Sequence, residues 1–357
     1  MNKYSRRAIL CFILIINALL KWRFFCGLNQ ADDFQYGVYS YTMFRLPLPW
    51  DMSMDFRALR LALLLPVNLL FRFISPNSIV PILYPLLISF GTVFMVYIIG
   101  RKLYGVYVGL FSAFVIATFP ADIVFGTMLL PDIIVPFFLC VSVYAFLKAC
   151  DHGNRRSLFW YLISGFFVFL AFNTRENSYY FLLFFLPFTF NRERWKRGIY
   201  LIVVGFTVPI LILYSIYYLK SGDFLFHLHL AQATRDSHIA SGYIPANAIN
   251  QFTMLYYMIP GLFRHDFSIS GMFGYTFYIG IPCVIYVGVK GIIQRNKSLL
   301  IILWWFLIVY LFLEFGTLSY SHYQMMKKLP RFLLTLTPAM ALAYGVVLSD
   351  AFGLKRG

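Results

Sequence analysis

The run Ala31-Asp32-Asp33-Phe34-Gln35-Tyr36 puts two carboxylates and a phenol within six positions, a few residues after an apolar stretch. Adjacent carboxylates close to a bilayer and within reach of cations are what general-base chemistry on a lipid-borne substrate uses. The competing reading makes Asp32 a helix cap and leaves Asp33 in solvent. Asp132, in Leu130-Pro131-Asp132-Ile133, stands between two apolar stretches. A carboxylate there needs water, a cation or a metal, because burial at a bilayer centre costs about 2.5 kcal/mol or more; it also reads as a helix-start residue at the interface. Asp122, in Phe119-Pro120-Ala121-Asp122, is a second candidate on the same short loop. Arg175 sits in the polar tip Asn173-Thr174-Arg175-Glu176-Asn177-Ser178 and offers a planar donor array suited to phosphate, unless Glu176 simply neutralises it. Lys327-Lys328-Leu329-Pro330-Arg331 gathers three more cations. His227-Leu228-His229 could present two metal ligands from an extended segment but not from a helix. No Gly-rich phosphate loop, nucleophile elbow, CxxC pair or zinc-protease signature occurs, so neither ATP nor a nucleotide-sugar is implied.

The elements that hold these residues must be membrane helices. The 357 residues are 61% hydrophobic and only 12% charged, with mean hydropathy +0.73, against a charged fraction near 25% in soluble proteins. Segments 79–100, 198–219 and 267–289 contain no Asp, Glu, Lys or Arg, and each is long enough to cross a bilayer. Continuous apolar runs without alternation exclude a transmembrane barrel. The fold class is therefore an all-α polytopic membrane protein. About ten transmembrane helices are expected, over 8–26, 78–100, 103–121, 132–149, 157–174, 177–191, 198–219, 268–289, 298–313 and 331–349.

The net charge of +16 reports topology before it reports nucleic acid. Starting with the N-terminus in the cytoplasm, six short segments, 1–7, 101–102, 148–156, 192–197, 290–297 and 355–357, hold 17 of the 30 basic residues, and 11 of the 14 acids fall on the outer side. Lys21, Trp22 and Arg23 stand where a signal peptide would need small residues, so the first helix reads as retained. The five cysteines give no disulfide framework. Two outer loops are long, 27–77 and 220–267. In the first, leucines and phenylalanines surround Arg57, Arg60 and Arg72, which predicts interfacial helices with the arginines towards headgroups. Residues 1–350 read as a single transmembrane domain with no separate soluble domain.

Taken together, the acid pair with its Tyr, the Pro-Asp at the second loop, the cation at the third, and Lys-Leu-Pro-Arg-Phe-Leu-Leu before a Pro-containing last span resemble the GT-C class of polyprenyl-phosphate-dependent glycosyltransferases. Bacterial protein O-mannosyltransferase and aminoarabinose transferase relatives are the nearest in pattern. Gly100-Arg101-Lys102-Leu103-Tyr104-Gly105, followed by Phe119-Pro120 and Leu130-Pro131-Asp132, is similar to the same class. The resemblance covers about residues 27–190 well and the rest loosely. It implies transfer of a sugar, usually with inversion, from a polyprenyl-phosphate donor to a lipid, glycan or protein hydroxyl acceptor. The site would face outward from a bacterial cytoplasmic membrane. Asp32 matches the catalytic base and Asp33 stands where a Glu is usual; Tyr36, Arg175, Lys328 and Arg331 fall to the donor and its phosphate. Asp132 matches an acid that in some members helps to hold a divalent metal cation, with His229 similar in placement to a site histidine. A carrier or flippase for an anionic lipid-linked sugar, and a lipid-linked polysaccharide polymerase or ligase, are the rival readings. A carrier would place ionisable groups at the midplane, often in two related halves, and neither feature is visible.

Overall fold

The computed structural model describes residues 2–29, 31–46, 49–74, 76–151, 155–191, 193–241, 275–317, 323 and 329–354. Among them every multi-residue element is a helix. Helix α1 spans Lys3–Arg23, with Asn2 accepting the Ser5 amide at 2.7 Å as its N-cap. The first long loop contains α2, Ala31–Thr42, a 3-10 turn at Phe56–Leu59, and α3, Leu61–Phe73. Then come α4, Val80–Tyr104, α5, Val106–Ala117, α6, Pro120–Phe125, α7, Pro131–Asp151, and α8, Arg155–Thr174. A 3-10 helix at Glu176–Asn191 leads to α9, Glu193–Ser221, and α10, Phe226–Ala240. After residues 242–274, the chain continues as α11, Thr276–Ile293, and α12, Lys297–Phe315. A 3-10 segment at Pro330–Leu336 leads into α13, Thr337–Ala351.

Each apolar run read from the sequence is represented by a helical element, and seven helices among the described residues are long and apolar enough to cross a membrane. The run 103–121 differs from a single span. The helix breaks at Thr118, because Pro120 has no amide hydrogen to continue the ladder but fits the first turn of a new helix. Part of 268–289 and of the second long loop lies outside the described residues. The short run 177–191 lies in the 16-residue 3-10 helix. At about 2 Å rise per residue such a winding reaches about 32 Å, against about 24 Å for an α-helix of equal length.

The core lies along α4, α5, α7, α8, α12 and α13. Gly165 on α8 and Gly205 on α9 face the partner backbone so closely that an added Cβ would stand 2.0 Å from the Ile202 carbonyl and 2.3 Å from the Leu162 carbonyl. Missing side chains at these two positions let the helices approach. A second, smaller cluster joins Met54, Ala58 and Leu59 of the first loop to Tyr217 of α9 and Phe226 of α10. It fastens the 3-10 turn, and with it Arg57 and Arg60, onto the bundle.

Two ion pairs mark one end of the bundle, Lys102–Asp151 and Lys290–Asp350 at 2.6 Å. The carboxylate and guanidinium groups of Asp32, Asp132, Arg175 and Arg331 meet at the other. An impermeant maleimide applied from outside intact cells, in a background without Cys11 and Cys26, should label Ser53→Cys and leave Gln294→Cys untouched until the membrane is opened. Labelling of Gln294→Cys from outside would contradict the assigned topology.

Candidate active site

Asp32 stands in the first turn of α2, where the helix dipole favours a carboxylate. Its Oδ1 accepts from Arg57 Nη1 at 2.8 Å and its Oδ2 from Arg331 Nη2 at 2.9 Å. One side chain therefore ties the first loop to the segment before the last helix, 299 residues away. About a third of the Asp32 side chain, 35%, remains exposed.

Arg57 is itself fixed by Asp55. Its Nε donates to the two Asp55 oxygens at 3.1 and 2.9 Å, while Asp55 caps the turn by accepting the Arg57 amide at 2.9 Å. Tyr39 and Gln35 of α2 donate to the same carboxylate at 2.9 and 3.1 Å. Burial alone would raise the Asp55 carboxyl, but the hydrogen bonds and charge of Arg57 hold it below the ordinary carboxylate value.

Asp132 is buried in the first turn of α7, opened by Pro131. It pairs with Arg175, and Arg331 Nε lies 3.5 Å from its other oxygen. Arg331 thus bridges Asp32 and Asp132. Arg175 follows the end of α8, and its guanidinium lies 3.7 Å from the centre of the Phe332 ring, a stacking that fixes the plane of its donors.

A deeper layer supports this one. Arg60 grips Glu176 with two prongs, Nε at 3.0 Å and Nη2 at 2.7 Å, and donates its Nη1 to the Tyr36 hydroxyl. His227 Nε2 lies 3.5 Å from Glu176, and its ring packs against Phe172, Tyr214 and Tyr217. Burial pushes the Tyr36 phenol up to about 12, so it keeps its proton at physiological pH. Asn173 accepts the Ala62 amide at 2.6 Å, locking α3 to the tip that carries Arg175 and Glu176.

Four of the residues singled out in the sequence, Asp32, Asp132, Arg175 and Arg331, therefore meet in one cluster, with Tyr36 one layer behind. Asp33 is buried, and its carboxylate accepts the amides of Asn29 at 2.9 Å and Phe34 at 2.7 Å, closing the turn into α2. Asp122 lies elsewhere, buried near Lys21 and 3.4 Å from the Thr337 hydroxyl. Glu176 pairs with Arg60 and not with its neighbour Arg175. Arg57 and Arg60 turn inward to carboxylates instead of outward to headgroups. Their spacing three apart beside Asp55, in an otherwise apolar stretch, was the available signal. Lys328 lies outside the described residues.

His229 is exposed on α10, 2.6 Å from Asp223, and is not brought to Asp132. Among the described residues no three His, Cys, Asp or Glu side chains form a metal-ligand group. The carboxylates of Asp32 and Asp132 face guanidiniums, which a divalent cation would have to displace against like-charge repulsion. This donor set does not fit a divalent cation.

Residues 66–218 match the family described as dolichyl-phosphate-mannose-protein mannosyltransferase. The chain shares its fold with several solved structures. Against the oligosaccharyltransferase of Archaeoglobus fulgidus in the apo form, the TM-score is 0.65 at 14% identity, covering 99% of this chain and 51% of that one. A second structure of that protein, tethered to an acceptor peptide, gives 0.67 at 13% identity, covering 99% and 50%. ArnT from Cupriavidus metallidurans in the apo state gives 0.66 at 14% identity, covering 96% and 61%. The chain spans about half the length of the oligosaccharyltransferase. No curated protein matches it in sequence. The GT-C likeness carried by the sequence motifs is thus met by the fold and by the matched family segment.

The deeper ion pair and the Asp55 clamp make two measurable statements. Glu176→Leu leaves Arg60 buried without its partner and should lower stability by about 3–5 kcal/mol, read by thermal unfolding in detergent; an unchanged melting temperature contradicts the supporting role. Asp55 has a depressed folded-state value, so its contribution is present above the unfolded value, about 3.9, and is lost as pH falls through the folded one. The stability gap between the parent and Asp55→Asn should stay level from pH 8 to 5 and close below about pH 4. A gap that widens on acidification reverses that sign.

Proposed function

We propose that this chain is a membrane glycosyltransferase that moves a sugar from a polyprenyl-phosphate donor to an acceptor hydroxyl on the outer face of the membrane, with inversion and with Asp32 as general base. One observation carries the reading: a part-exposed carboxylate, Asp32, is held between Arg57 and Arg331 beside the Arg175–Asp132 pair, at the end of an apolar bundle. The fold likeness and the matched family segment support it, and so does a structure of the Archaeoglobus fulgidus enzyme described with a dolichol-phosphate.

The chemistry follows from what each group can do. A polyprenyl phosphate is already a good leaving anion, so departure needs cations at the phosphate more than an acid at the bridging oxygen. Arg57, Arg175 and Arg331 supply them, with planar forks that match phosphate oxygens. Without donor, both Asp32 oxygens are occupied by guanidinium donors. When the donor phosphate takes over Arg57 or Arg331, one oxygen opens to the acceptor hydroxyl. The acceptor oxygen then bonds to the anomeric carbon from the face opposite the phosphate. The carbon–phosphate-oxygen bond breaks with its electron pair going to the polyprenyl phosphate, and the hydroxyl proton passes to Asp32. Donor from within the bilayer needs no nucleotide site. The distribution of basic residues supports the outward face.

Purified protein in nanodiscs, with a labelled polyprenyl-phosphate sugar and a hydroxyl acceptor, tests this. Asp32→Asn keeps shape and hydrogen bonding but takes no proton, so turnover should fall by about a hundredfold or more while donor binding stays within a few-fold. Full activity removes Asp32 as the base, and donor movement across the membrane without glycosylated product in the parent supports a carrier. Arg175→Ala should raise the donor KM if the contact is made in the ground state, or lower kcat if it forms in the transition state. Arg175→Lys should restore only part of the loss, since an ammonium lacks the two-pronged contact.

A further inference from the structure

On the far side of α2 from Asp32 lies a cavity of about 280 Å³ that the transfer reaction does not use. It is an open groove lined by Phe34, Gly37, Val38 and Tyr41 of α2, and flanked by Phe71 of α3 and Pro81 of α4. The four α2 positions are spaced i, i+3, i+4, i+7 and form one stripe. Asp32, Tyr36 and Tyr39, which meet the arginine cluster, occupy the opposite stripe. The walls are apolar, and Phe34 is 61% exposed at its mouth. Two cations stand beyond the Tyr41–Phe71 end. The Arg45 guanidinium lies 3.8 Å from the Tyr41 ring centre, and Tyr41 packs edge-on against Phe71 at 5.5 Å. Arg72 lies 5.2 Å from the Phe44 ring centre. Both arginines are exposed, and neither has a carboxylate partner among the described residues.

We infer that this groove is a binding site for an anionic glycerophospholipid, with one acyl chain in the cavity and the phosphodiester on Arg45 and Arg72. Three features together select that occupant. An apolar trough on the membrane side of a helix at the bundle end takes a hydrocarbon chain. Two arginines without acidic partners, at the end opposite to the one where basic loop residues normally collect, take a phosphate. The Tyr41 and Phe44 rings beneath them hold both guanidiniums beside the trough. The donor is disfavoured as occupant because the stripe faces away from Asp32, so its phosphate would lie on the wrong side of α2. A lipid held here braces the helix that carries Asp32 from the membrane side.

The site is independent of the transfer reaction and is tested by binding alone. Parent protein is reconstituted in nanodiscs of equal phosphatidylglycerol and phosphatidylcholine, released, and examined by native mass spectrometry. One phosphatidylglycerol should survive release in preference to phosphatidylcholine. Arg45→Ala/Arg72→Ala should lower its retention by about thirtyfold. Gly37→Leu should lower it with both arginines intact, because a Cβ at Gly37 has its nearest neighbours at 3.7 and 4.0 Å and a larger side chain fills the trough without a clash at its root. If the double alanine variant does not fold, Arg45→Lys/Arg72→Lys, expected to keep part of the retention, and Gly37→Leu decide the matter. Equal retention of both lipids overturns the inference, as does retention unchanged by Gly37→Leu. Replacement of phosphatidylglycerol by added polyprenyl phosphate at this site, also lost in Gly37→Leu, overturns it in favour of a donor-tail path.

Discussion

Arg331 bridging Asp32 and Asp132 is the contact on which the site's geometry depends. It joins the start of α2, the start of α7 and the segment before α13, three parts of the chain that no local propensity brings together. Charges of this kind are costly at the edge of an apolar bundle unless they are matched. Here three carboxylates, Asp32, Asp55 and Asp132, meet three guanidiniums, Arg57, Arg175 and Arg331. The cluster is formally neutral as it stands, so none of its members is left buried without a partner. The same balance makes it exchangeable, because a phosphate offers a guanidinium what a carboxylate offers.

The rest of the bundle acts to keep that cluster from relaxing. The two-pronged Arg60–Glu176 pair fixes the first loop to the tip after α8, and the contact from Asn173 to the Ala62 amide fixes the start of α3 to the same tip. Close passage of α8 and α9 at Gly165 and Gly205 packs the helix that leads to that tip against the helix that carries Tyr217, which flanks His227. The apolar anchor of Leu59, Tyr217 and Phe226 holds the turn bearing Arg57 from the other side. With side chains locked in this way, the guanidiniums are gathered at one place, and in the proposed reaction the phosphate has only to take over one Asp32 contact.

Much of this was legible in the sequence, for a reason that runs through it. In an apolar chain each charge is an exception, and Asp32, Asp132, Arg175 and Arg331 stood out as exceptions near helix ends. The apolar runs gave the helices because continuous hydrophobicity at spanning length has few other uses. Partner choice was not legible. An arginine in an apolar loop looks the same whether it stays exposed beside an aromatic ring, as Arg72 does, or turns in to a carboxylate 116 residues away, as Arg60 does. Sequence adjacency suggested Glu176 for Arg175, whereas the tip at the end of α8 sends the two side chains to different partners. His227 and His229 looked equivalent until α10 formed and pointed one ring at Glu176 and the other at Asp223. Lys21, read only as a residue that a signal-peptide cleavage site would not carry, is buried, donating to Asn17 and Ser89 at 2.6 Å each.

Exchange of carboxylate for phosphate at the arginines is the central step of the proposed reaction. A cryo-electron microscopy structure with a non-transferable polyprenyl-phosphate-sugar analogue measures that exchange directly. The account predicts phosphate oxygens within hydrogen-bond distance of Arg331 and of Arg57 or Arg175, and at least one Asp32–guanidinium contact opened beyond about 4 Å. A bound analogue with Asp32 still holding both Arg57 and Arg331, and its phosphate lodged elsewhere, would contradict it.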